Sequence, residues 1–198
     1  MSDQLEPKRT SRDLNEIQEL LAHWLKGKSS DSEAVITDLR RPSGSGMSSE
    51  TLLFNAKSKN TNPSNESSLV ARLAPTPADI PVFQKYDLDL QVRIMKIVRE
   101  RTSIPVPNVL WLETDPTLLG VPFFIMEQVD GRVPPDIPPY VFGGWLLDAS
   151  LENQKILEHQ SVEIISQLSK IDLEDFDTDF LEFEDVGNSH LRRHFSSQ

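Results

Sequence analysis

The chain has 198 residues, enough for one large domain or two small ones, and its 37% hydrophobic residues suffice for a core. A formal net charge of −11 argues against nucleic acid as a partner, because phosphate neutralisation needs clustered Lys and Arg. The absence of Cys excludes a disulfide framework and a thiolate metal site. The polar N-terminus lacks the apolar core of a signal peptide, and no apolar run is long enough to span a membrane. We therefore expect a cytoplasmic protein with no membrane contact.

An amphipathic helix is predicted near the N-terminus. Residues 1–10 are polar, and we expect them to be disordered. Ser11 or Asp13 can cap the helix, and Gly27 predicts its end. The apolar positions at helical spacing are Leu14, Ile17, Leu20, Leu21, Trp24 and Leu25.

The next stretch reads as strand, glycine turn, strand, loop, strand. The strands are expected at Val35–Leu39, Thr51–Ala56 and Leu69–Leu73, because β-branched and apolar runs are bounded there by Gly, Pro and Ser. The turn covers residues 42–49, and the polar residues 57–67 predict a loop between the second and third strands.

The turn is a candidate phosphate site. Gly44 and Gly46 can adopt positive φ and bring backbone N–H groups close to a ligand, and several such groups form an anion-binding nest. Arg72 on the third strand could complete the site with a positive charge. The alternative is a Gly-Ser-Gly hairpin that serves only as a turn.

The second half of the chain alternates between regular elements and Pro-rich segments. We expect a helix at Tyr86–Arg101, strands at Val109–Glu113 and Pro122–Val129, and a long helix at Leu151–Ile171 that Ser150 can cap. One face of the long helix is predicted to be buried, through Leu157, Ser161, Ile164, Leu168 and Ile171.

A strongly acidic segment, Asp172–Asp185, follows and contains no Lys or Arg. Mutual repulsion favours a solvated loop there, and binding of a cation is the alternative.

Four segments in this order resemble the aminoglycoside and choline kinase-like phosphotransferases: GSGMSSET, LVARLAP, IPVPNVLWLE and LGVPFFIMEQVDGRV. The resemblance implies an α+β protein-kinase-like N-lobe, with a five-stranded antiparallel sheet plus a helix, followed by the first helix of the C-lobe. The domains implied are an N-lobe with its N-terminal helix at 11–130, a Pro/Gly-rich linker at 131–150 and a truncated start of a helical C-lobe at 151–198.

The resemblance also implies roles for the glycine turn and the third strand. Gly44, Ser45, Gly46 and Ser48 match the nucleotide loop, whose N–H groups and hydroxyl would hold ATP phosphates. Arg72 stands where kinases place the Lys that binds the α- and β-phosphates.

A hinge for the adenine ring is implied after the fifth strand. Met126 matches the gatekeeper, while the Glu127 carbonyl and the Val129 N–H would hydrogen-bond the adenine edge. Apolar cover for the ring is expected from Val35, Ala71 and Phe124.

The chain departs from the family pattern at two places. The helix Glu that pairs with the third-strand cation falls at Gln91, and Asp87 or Asp89 is the candidate replacement. No His-Gly-Asp catalytic loop is found, since none of the four histidines precedes Gly-Asp. We therefore predict no catalytic and no metal-binding residue in this chain, ATP as the cofactor, Mg²⁺ only in a complete protein, and no activity for the chain alone.

Three interpretations remain open. The first is the nucleotide-binding portion of an ATP-dependent small-molecule kinase, acting on a hydroxyl acceptor, whose catalytic half lies elsewhere or is lost. The second is a non-catalytic kinase-like interaction module or a degenerate gene fragment. The third is an unrelated α+β domain with a glycine hairpin. Expected partners are a nucleotide and either the missing catalytic half or a second copy bound through the helix at 151–171.

Overall fold

The computed structural model describes residues 12–28, 34–42, 49–58, 66–76, 86–134 and 139–171, and the structural statements concern these residues. They form three helices and five strands. The helices are α1 (Leu14–Lys28), α2 (Leu88–Arg101) and α3 (Leu151–Leu168). The strands are β1 (Ala34–Arg40), β2 (Glu50–Ser58), β3 (Glu66–Leu73), β4 (Val109–Glu113) and β5 (Phe123–Glu127).

The strands form one sheet in the order β1-β2-β3-β5-β4, and every neighbouring pair is antiparallel. This confirms the predicted five-stranded antiparallel sheet. β2 and β3 pair from Glu50 with Leu73 to Lys57 with Glu66, so both strands run into the segment predicted as a loop. Backbone hydrogen bonds extend both strands there although the side chains are polar. This is possible because one face of an antiparallel sheet can remain in water.

α1 covers one face of the sheet. The Trp24 ring meets Trp111 and Phe123 edge-on, with ring centroids 6.1 and 5.0 Å apart respectively. The strand pairing places nine buried side chains on the face that α1 covers: Ala34, Ile36, Leu52, Phe54, Leu69, Ala71, Leu73, Phe123 and Ile125. The α1 face is therefore the main hydrophobic core.

α1 begins directly after Asp13, one of its two predicted capping residues. The Asp13 carboxylate accepts a hydrogen bond from the Asn15 N–H at 2.8 Å, whereas Ser11 lies outside the described residues. The helix passes through Gly27 and ends at Lys28, so the predicted end was one residue short.

A polar cluster ties α1 to β4. The Trp24 Nε1–H donates to Glu113 Oε2 at 2.8 Å, and Lys28 Nζ lies 3.3 Å from the same oxygen. The hydrogen bond from Trp24 is the largest cause that lowers the pKa of Glu113, helped by the Asp115 N–H and by Lys28 and opposed by burial.

α2 follows β3 and contacts β4 and β5. Its cap is Asp87, whose carboxylate accepts from the Leu90 N–H, and its buried residues are Leu88 and Val92. Because α1 lies against one face at this edge, we assign α2 to the opposite face, where Phe124 is fully buried.

β1 contains a bulge just before the predicted nucleotide loop. Thr37 pairs with Asn55 and Arg40 with Leu53, so two residues of β1 stand opposite one of β2. Asp38, in the bulge, has a φ of 54°, and its carboxylate accepts from Arg40 Nη1 at 2.7 Å. Asp tolerates this left-handed conformation better than most residues do.

α3 begins at its predicted cap, with the Ser150 hydroxyl accepting from the Asn153 N–H. The predicted buried face is wrong, because no residue of α3 is buried. Within the described chain no helix or strand packs extensively against α3. None of the described helices is both long and apolar enough to cross a membrane.

Candidate functional site

Arg72 lies on β3, the middle strand of the sheet. Its cross-strand neighbours are Thr51 on β2 and Phe124 on β5. The Arg72 Nε–H donates to the Ser49 hydroxyl at 2.9 Å, and both side chains are partly buried. The guanidinium group is therefore held on the face of the sheet that α1 does not cover.

The register identifies the residues that share the face of Arg72. Val70 pairs with Leu53 on β2 and with Met126 on β5, so these three side chains lie together on that face. Met126 is thus on the same face of the sheet as Arg72. Leu53 and Val70 were missed by the sequence analysis, although their spacing of two residues from Thr51 and Arg72 was available to find them.

The expected apolar cover of the adenine ring needs correction. Ala71 is wrong, because strand alternation turns it to the α1 face, where it is fully buried between Leu52 and Ile125. Phe124 is on the face of Arg72 but is itself fully buried, so it supports that face rather than lining it. Val35 shares the face at the far end of the sheet, opposite Lys57.

The hinge segment leaves the sheet at the end of β5. The Glu127 N–H donates to the Asn108 carbonyl and the Gln128 N–H to the Ser68 carbonyl, each at 3.0 Å. Val129 is 64% exposed. The backbone is therefore fixed on both sides up to Gln128 and reaches solvent at the next residue.

The predicted loop residues Gly44, Ser45, Gly46 and Ser48 lie outside the described residues. The residues on either side of this loop are described. Glu50, after the loop, forms ion pairs with Arg41, before the loop, and with Arg12. Arg41 donates through Nη2 and Nε to Glu50 Oε1, at 2.7 and 3.2 Å, and Arg12 Nε lies 3.7 Å from Glu50 Oε2. Only 7% of the Glu50 side chain is exposed, so this is a largely desolvated cluster.

The acidic residues proposed to pair with Arg72 have other partners. Asp87 caps α2, and Asp89 forms an ion pair with Arg93 at 2.7 Å one helical turn along. The expectation that one of them replaces the helix Glu is therefore wrong, and Arg72 bonds a hydroxyl instead. No group of His, Asp and Glu in the described part of the chain could hold a metal ion. The acidic run 172–185 lies outside that part.

The sequence matches the Phosphotransferase enzyme family over residues 41–182. This span covers well over half of the chain and contains Arg72, the whole of β2 to β5 and the hinge. The chain therefore belongs to the Phosphotransferase enzyme family.

Individual relatives match shorter parts. Over 46 residues the chain is 39% identical to the "Probable acyl-CoA dehydrogenase IBR3" of Arabidopsis thaliana, a match that covers 23% of this chain and 6% of that protein. The crystal structure of a candidate aminoglycoside phosphotransferase from Ralstonia eutropha is similar with 23% identity and a TM-score of 0.38, over 58% of this chain and 28% of that one. The chain thus spans less than a third of either relative.

Proposed function

We propose that this chain is the nucleotide-binding portion of an ATP-dependent phosphotransferase that acts on a hydroxyl group of a small molecule. The observation that carries the proposal is Arg72, a partly buried cation on the central strand of a family member, which donates to the hydroxyl of Ser49, the residue that follows the predicted nucleotide loop in the sequence. Kinase-like phosphotransferases need a third-strand cation at this place to bind phosphate oxygens.

Support for a nucleotide comes from the surroundings of Arg72. Leu53, Val70 and Met126 give its face an apolar character, as stacking of a purine requires. The hinge after Glu127 offers backbone groups to a purine edge. Arg presents a planar fork of donors that matches phosphate oxygens, and it keeps its charge on burial.

We propose further that the catalytic loop of phosphoryl transfer is not among these 198 residues. A base must take the proton of the acceptor hydroxyl, and an Asn and an Asp must hold Mg²⁺. None of the four histidines precedes Gly-Asp. We therefore propose that ATP binds here without chemistry, and that Mg²⁺ binds only together with residues outside this sequence.

The binding test is an ATP titration of the wild-type chain and two charge-removing variants. Without the metal ligands, we expect a dissociation constant of about 1 mM or weaker. Arg72→Ala should weaken binding at least about 5-fold, because it removes the cation on the central strand. Lys57→Ala is the matched control, because Lys57 is a cation on the same face of the sheet at its far end. Equal loss in both variants, or none in Arg72→Ala, would contradict the proposal.

The catalytic test measures phosphoryl transfer and ATP hydrolysis by the purified chain. Positioning and charge stabilisation supply nearly all of the acceleration in this chemistry, so the rate should equal background. Activity that survives purification and disappears in Arg72→Ala would show that the chain catalyses the reaction unaided.

A non-catalytic interaction module is the second candidate, and the surface of α3 favours it. Val162 and Ile165 are 60% and 66% exposed, and Leu151, Ile156, Ile164 and Leu168 are exposed as well. Self-association through α3 would follow from this surface. Sedimentation should then show a dimer that Ile165→Glu dissociates, whereas a monomer at all concentrations would remove this candidate.

A further inference from the structure

We infer that Ser49 is a positioning residue for phosphate, one that holds Arg72 by its Nε and aims the outer edge of the guanidinium at the nucleotide. The inference rests on the proposed function and adds to it the residue that orients the cation. Sequence reasoning assigned phosphate contact to Ser48 and gave Ser49 no role.

The hydrogen bond between Arg72 and Ser49 orients the guanidinium group. Ser49 Oγ accepts from Arg72 Nε at 2.9 Å, the distance of a well-formed bond. Nε is the innermost of the three guanidinium nitrogens, so the contact fixes the plane of the group. The two terminal Nη groups form the outer edge, which can bind two oxygens of a phosphate at once.

Ser49 is itself held in place. Thr51 pairs with Arg72, and strand alternation places Ser49 on the same face as Thr51 and Glu50 on the opposite face. There Arg41 donates to Glu50 Oε1 at 2.7 Å, and Arg12 forms a longer ion pair, 3.7 Å, with Oε2. The backbone that carries Ser49 is thus anchored from the other side of the sheet.

Arg suits this position better than Lys would. A Lys carries its three donors on one nitrogen, so the same atom would have to reach both Ser49 and the phosphate, and it would offer no planar fork to the phosphate oxygens. Arg separates the two tasks, because Nε binds the protein while the Nη edge stays available to the ligand. Arg72→Lys should therefore lose most of the affinity even though it keeps the charge.

The test follows the Arg72 Nε–H resonance and the affinity for ATP in the same samples. Ser49→Ala removes the acceptor and Ser49→Thr keeps it. Ser68→Ala is the matched control, because it removes a β3 hydroxyl that donates to Asn55 at 3.1 Å. In the wild-type chain the Nε–H should exchange slowly with water, and Arg72→Lys assigns the resonance by its disappearance.

We expect Ser49→Ala to accelerate that exchange and to weaken ATP binding about 3- to 10-fold, as loss of one charge-assisted hydrogen bond implies. Ser49→Thr and Ser68→Ala should resemble the wild type in both measurements. Unchanged ATP affinity in Ser49→Ala, with a wild-type chain that binds ATP, would overturn the positioning role alone. A wild-type chain that does not bind ATP would overturn the proposed function and this inference together.

Discussion

Trp24→Phe probes the contact that joins α1 to the far edge of the sheet. The change keeps an aromatic ring against Trp111 and Phe123 but removes the Nε1–H that donates to Glu113. Glu113 lies on β4 and is 18% exposed, so its carboxylate regains little water when the donor is lost.

The expected cost has two parts. The hydrogen bond to a carboxylate contributes about 1.5 kcal/mol, at the low end of the range because Lys28 and the Asp115 N–H still bind Glu113. The smaller ring leaves a gap in a buried site and costs about 1 kcal/mol more. Trp24→Phe should therefore lower the free energy of unfolding by about 2.5 kcal/mol near neutral pH.

The pH dependence separates the two parts. The folded state lowers the pKa of Glu113 below its ordinary value of 4.5, so its stabilisation is complete above that value and is lost as the pH falls through the folded pKa. Below that range Trp24 donates to an uncharged carboxyl, which is a weaker hydrogen bond, so the cost of Trp24→Phe should fall towards that of the packing part, about 1 kcal/mol.

Urea unfolding followed by circular dichroism, at about pH 7 and at an acidic pH at which Glu113 is protonated in the folded chain, measures both values. Trp111→Phe is the control, because Trp111 lies on the same face and contacts the same ring. Its cost should not change with pH. A cost of Trp24→Phe that is equal at both pH values would refute the role given to the hydrogen bond with Glu113.

Three further changes test other parts of the fold. Asp38→Gly should change the free energy of unfolding by less than about 0.5 kcal/mol while Asp38→Val lowers it by more than about 1 kcal/mol, since the φ of 54° is strained for a β-branched residue; equal effects in urea unfolding would contradict the bulge. Glu50→Gln should lower the free energy of unfolding by about 2 kcal/mol, because it leaves Arg12 and Arg41 without their carboxylate; an equal loss in the exposed Glu66→Gln would contradict the importance of these two ion pairs. The double change Val162→Glu and Ile165→Glu should reduce binding of a hydrophobic dye without altering the unfolding midpoint, and unchanged dye fluorescence would mean that α3 is not the apolar surface.

The order of elements could be predicted because each carries a local pattern. The strand β4 and the caps Asp13 and Ser150 were identified correctly from apolar runs and capping residues. The polar ends of β2 and β3 could not be predicted from the sequence. Their strand conformation comes from hydrogen bonds to a partner strand rather than from their own side chains.

At the candidate site, the main difficulty was to predict which face of the sheet each strand residue occupies. A run such as LVARL is apolar at consecutive positions, so its hydrophobic pattern does not say which of its two faces is the core, although alternation alone would have placed Val70 with Arg72. The register settles this, since Val70 pairs with Met126 and Ala71 with Ile125. The contacts of Ser49 and Glu50 were also out of reach, because they depend on residues from other elements.

Backbone amide shifts during an ATP titration map where the nucleotide binds along the chain. We predict shifts at Gly44, Gly46 and Val129, from the phosphate end of the site to the hinge, and Arg72→Ala should reduce them all. Shifts confined to the acidic run 172–185, or none at all up to about 10 mM ATP, would contradict this prediction.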